Sequence, residues 1–99
     1  METDPKFFDR ADAHIHLSNE QMGEAARGKV SASMMYAAAR FNAWVSACGF
    51  DSGVEMAQAK RETLEYFVAE YRKMLEENLD EYIEKFEQHM KVKNGKDDV

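Results

Sequence analysis

Cysteine and proline are almost missing from this 99-residue chain. The single Cys48 excludes an internal disulfide and any zinc site built from spaced cysteines. A lone thiol fits a reducing compartment, so a cytoplasmic protein is expected. The one proline, Pro5, stands near the start, and nothing after it interrupts a helix through a missing N–H. Five glycines are too few and too scattered for a phosphate-cradling loop. Val, Ile and Thr are sparse and alternate with polar residues nowhere, which excludes strands and points to an all-α fold. No apolar run approaches the ~18 residues that cross a bilayer, and no charged-then-apolar leader opens the chain. Positive charge is also short: 13 Lys and Arg face 19 Asp and Glu, for a net charge of −6. Neither half is basic, so neither nucleic acid nor an anionic membrane is an expected partner.

What is present is helical periodicity. Leu64, Val68, Tyr71, Leu75, Leu79, Tyr82, Phe86 and Met90 follow at steps of 4, 3, 4, 4, 3, 4 and 4, which holds one apolar stripe on one side of a helix. Without Gly or Pro between Val54 and Met90, the pattern predicts one helix from about Ser52 to Met90. Such a helix is ~55–60 Å long, about twice the span of a compact domain of this size. Something has to cover both halves.

Two helices precede it. Asp4-Pro5 reads as an N-cap with Pro at the first helical position, opening a helix to about Gln21 with Phe8, Ala11, Ile15 and Met22 on its apolar face. The segment from Gly23 to Gly28 reads as a loop. A second helix is expected from Ser31 or Ser33, with Met34, Ala38, Phe41, Val45 and Cys48 as its stripe. Gly49 is expected to end it in a left-handed conformation. Ser52-Gly53-Val54-Glu55 is a capping box for the third helix. So short a connection predicts an antiparallel helical hairpin. The chain is thus expected to be one helical domain over residues 1–93, with three helices, the last very long, and a disordered tail over 94–99. Self-association is expected to complete the bundle, as a homodimer with the third helices paired. Folding of the first helix onto the third is the alternative.

The candidate chemistry is thin. His14 and His16 suggest a His-x-His metal pair, but on a helix residues two apart point ~200° apart, which defeats that motif. Asp9, Asp12 and His16, at i, i+3 and i+7, form a better ligand row and define the alternative reading, a metal- or small-ligand-binding bundle. Caps, surface charges or a helix-to-helix ion pair explain the same three residues. Tyr36, Arg40 and Trp44 recur at i+4 steps and suggest a cation–π set able to recognise a partner. An aromatic layer under an Arg paired with Asp9 or Asp12 is the structural reading of that set. Cys48, in the last turn of its helix, is placed against thiolate formation and reads as a small packing residue. Glu76, Glu77, Asp80, Glu81 and Glu84 read as a solvated acidic face. No residue is assigned a catalytic role and no cofactor is implied.

Phe8-Asp9-Arg10-Ala11-Asp12-Ala13-His14-Ile15-His16-Leu17-Ser18-Asn19-Glu20-Gln21 and Ser31-Ala32-Ser33-Met34-Met35-Tyr36-Ala37-Ala38-Ala39-Arg40-Phe41-Asn42-Ala43-Trp44 resemble a small proteobacterial family, DUF3144, classed as a domain of unknown function. The resemblance spans about Phe7 to Tyr82. It implies a soluble bacterial protein without an assigned activity and carries over no site residue. The expected function is a helical, self-associating protein-interaction module that uses Tyr36, Arg40 and Trp44 together with Leu79, Tyr82, Phe86 and Met90.

Overall fold

Residues 4–90 are described by the structure, a computed structural model. The expected tail at 94–99 lies outside them. Within them the chain is all helical, in five elements: α1 (Phe7–Gln21), α2 (Arg27–Ala47), α3 (Gly53–Gln58), α4 (Lys60–Glu84) and α5 (Phe86–Met90). The expectation of three helices is therefore corrected to five, because the long third helix is broken twice.

The first break is at Ala59, whose backbone (φ −98°, ψ 4°) leaves the helical range. Its N–H donates to the Met56 carbonyl three residues back, and the regular ladder resumes where the Thr63 N–H donates to the Ala59 carbonyl. The stripe explains why continuity is not enforced here. Upstream of Leu64 the positions on its face are Lys60 and Arg61, so no apolar contact rewards one straight rod. The second break is at Lys85 (φ −111°, ψ 34°). Beyond it α5 folds back, with the His89 ring stacked on Tyr82 at 4.4 Å between centroids and its Nε2 3.3 Å from Glu81. Residues eight apart on a straight helix are separated by ~12 Å along the axis, so that contact exists only because the chain bends.

The capping box forms. Ser52 Oγ accepts from the Glu55 N–H at 3.1 Å, and the Glu55 carboxylate accepts from the Asp51 N–H at 2.7 Å. At the other end of the chain, one turn precedes α1. The Asp4 carboxylate accepts from the Lys6 N–H and its carbonyl from the Phe7 N–H, so α1 starts two residues later than Pro5 suggested. α2 starts earlier than expected, at Arg27 rather than Ser31 or Ser33. Ala26 is extended and its carbonyl accepts from both Lys29 and Val30, which takes Gly28 into the first turn. Gly49 is also corrected: its φ is negative, and α2 ends through Cys48 and Gly49 in an ordinary right-handed turn.

α1 packs against α2. Val30 is buried, Ala11, Ile15 and Met22 are half-buried, and the Ser18 hydroxyl donates to Met34 Sδ. Phe8 points away, 74% exposed, with its ring edge against Phe7. α2 and α4 meet near the turn that joins them but do not pair along their lengths, so the expected hairpin is not built as a continuous contact. α1 does not reach down to cover the second half of α4. The result is an open molecule of 50 × 33 × 24 Å with a radius of gyration of 16.6 Å, against about 13 Å for a compact chain of this length.

Candidate functional site

Val30 is the one buried apolar residue among the described residues. The residues that would ordinarily form a core stand in solvent, so the candidate sites are surfaces rather than pockets.

The larger surface runs along α4 and α5. Leu64, Val68, Tyr71, Leu75, Leu79 and Phe86 are between 41% and 58% exposed, while Tyr82 and Met90 are half-buried. The α4 helix places those from Leu64 to Tyr82 within ~80° of arc, as their spacing predicts, while Phe86 and Met90 lie beyond the break in α5. Of the four residues proposed from this stretch, Leu79 and Phe86 are open, whereas Tyr82 is engaged with His89. His89 is the residue that sequence reasoning missed. Its distance from Tyr82 and Glu81 along a straight helix hid the contact. Charges line the stripe: Arg72 is 3.7 Å from Glu76, Lys73 is 3.2 Å from Glu70, and Glu81 faces His89, so the acidic face is partly compensated. Exposed pairs of this kind contribute little to stability, ~0–1 kcal/mol each.

The second surface is on α2. Tyr36 and Trp44 are 66% and 61% exposed and Arg40 lies between them on the same face. The anticipated Arg40–Trp44 stack is not formed. Trp44 instead lies 5.8 Å from the Phe41 ring, on the neighbouring stripe, at a 34° tilt. Arg40 makes no ion pair with Asp9 or Asp12 among the described residues. Ala37, Ala39, Ala43 and Ala47, which thin this helix for a close neighbour, are exposed as well.

Asp9, Asp12 and His16 lie along α1, all exposed. No group of three His, Cys, Asp or Glu side chains able to hold a metal ion is gathered among the described residues. Cys48 is a free, exposed thiol rather than a packed one. Where α2 turns toward α4, Ser46, Gly49, Phe50, Glu62, Thr63, Tyr66 and Phe67 line an open cleft of about 420 Å³. Its ionisable side chains are Glu62 and Tyr66. No described helix is long and apolar enough to cross a membrane.

Comparison with known proteins fits this picture. No curated protein matches the chain. The NMR structure of the protein NB7890A from Shewanella sp. is similar: it superposes with a TM-score of 0.74 at 36% sequence identity, covering 90% of this chain and 95% of that one. A family model described as "Protein of unknown function (DUF3144)" matches residues 7–83. With more than three-quarters of its length matched, from the start of α1 almost to the end of α4, the chain belongs to the DUF3144 family.

Proposed function

We propose that this chain is a helical interaction module of the cytoplasm that works as a homodimer, has no catalytic activity, and docks another protein through the Tyr36, Arg40 and Trp44 face of α2. The observation that carries the reading is the burial pattern. Among the described residues, nineteen large apolar side chains are exposed while Val30 alone is buried. Ordering each residue costs ~1–2 kcal/mol of backbone entropy, and one buried valine offsets almost none of it. The chain exposes 8972 Å², whereas a folded protein of 11.4 kDa exposes about 5,800 Å². Apolar surface in such excess marks association. The stripe of α4 and α5 supplies the self-association face, and α2 keeps a second face free for a partner.

Sedimentation equilibrium and native mass spectrometry of the full chain test this reading. The expected result is twice the 11.4 kDa chain mass with nothing added. A monomer at tens of micromolar overturns it. A retained metal lost in His16→Ala overturns it in favour of the Asp9, Asp12 and His16 site.

A further inference from the structure

We propose that two chains pair through α4 in antiparallel order, with Leu75 of one protomer meeting Leu75 of the other on a twofold axis. The proposal rests on the self-association read above and specifies its geometry. Its first support is a symmetry in the stripe. Counting outward from Leu75 along α4, apolar residues occur at 4 and 7 positions in both directions: Tyr71 and Leu79, Val68 and Tyr82. A twofold contact is self-complementary, so a residue k positions before the axis meets the residue k positions after it on the other chain. An axis at Leu75 therefore sets apolar against apolar in every layer.

Charge decides the direction. From Glu76 to Glu84 the chain carries five acids and no base, while Lys60, Arg61, Arg72 and Lys73 all lie before Leu75. Parallel pairing would set the acidic segment against its own copy, and like charges at that range repel. Antiparallel pairing sets it against residues 66–74, where Arg72 and Lys73 outnumber the one acid, Glu70. Arg72 and Glu76 flank Leu75 along the same edge of the stripe and already lie 3.7 Å apart within one chain. The twofold sets Arg72 level with Asn78 of the partner, two positions from the partner's Glu76.

The area is sufficient. The stripe along α4, from Leu64 to Tyr82, runs for ~27 Å, and its members are exposed or half-exposed throughout. The surface this chain shows beyond that of a compact protein exceeds the ~800 Å² per partner of a standard interface.

Cysteine cross-linking in the full chain carrying Cys48→Ser tests the pairing. Under mild oxidation Leu75→Cys is expected to link to itself. Leu64→Cys is expected to remain unlinked alone, and Tyr71→Cys to link when mixed with Leu79→Cys. Self-linking of Leu64→Cys as strong as that of Leu75→Cys overturns the antiparallel order and leaves self-association standing. A Cys48→Ser chain that sediments as a monomer overturns both. As a check that leaves the stripe intact, spin labels on the exposed positions 62 and 77 should read about 40 Å between copies at Glu62→Cys and within about 20 Å at Glu77→Cys. Equal short distances at both sites overturn the proposal.

Discussion

Asp4 shows how one side chain carries two jobs at the entrance to α1. Its carboxylate accepts the Lys6 N–H and pairs with Arg10. The hydrogen bond from Arg10, and after it the one from the Lys6 backbone, holds the Asp4 carboxyl below its ordinary 3.8. Because the folded value is lowered, the contribution of this group is fully present above pH 3.8 and is lost as pH falls through the folded value. In Arg10→Ala the Asp4 titration, followed by NMR, should move up toward 3.8, and an unmoved titration would show that Arg10 does not hold it. The sequence reads Asp4 as the N-cap of α1, but the helix starts at Phe7, and Asp4 instead closes the turn before it. The Trp44 contact was not legible either: i+4 spacing allowed Arg40, but the indole gains more apolar contact on Phe41 than on a guanidinium that water already solvates.

At the level of elements, the starts and stops written in side-chain chemistry were the readable ones. The capping box at Ser52 formed as spaced, and Ser52→Ala should cost about 1 kcal/mol in urea denaturation at fixed protein concentration. No change in the midpoint would mean that water caps α3 as well as the serine does. The start of α2 was misread because Gly28 looks like punctuation, while burial of Val30 against α1 favours helix from Arg27 onward. The breaks at Ala59 and Lys85 carry no Gly or Pro. They were illegible because each arises from an apolar reward absent on one side or gained elsewhere, the second through the stack of His89 on Tyr82. The stripe was legible from its 3-and-4 spacing as far as Tyr82, because helix periodicity depends on the backbone; Phe86 and Met90 lie past the break at Lys85, which the spacing did not show.

For the whole molecule, the proposed pairing would make folding and assembly one event, because a single chain buries so little. Melting temperature by circular dichroism should therefore rise with protein concentration, and a concentration-independent value would mean that the single chain is stable alone. Leu75→Asp should cost several kcal/mol, shifting the chain to monomer with reduced helicity, whereas Glu77→Gln should leave both unchanged. Equal effects at the two sites, read by sedimentation and circular dichroism, would place the association face elsewhere. The open architecture also bears on speed. Nearly all contacts link neighbours in sequence, so individual turns form in microseconds while the encounter of chains is slow. If chains pair as proposed, maturation of the protein is second-order: its pace follows the number of copies in the cell, and a scarce chain waits, unprotected from proteases, for its counterpart.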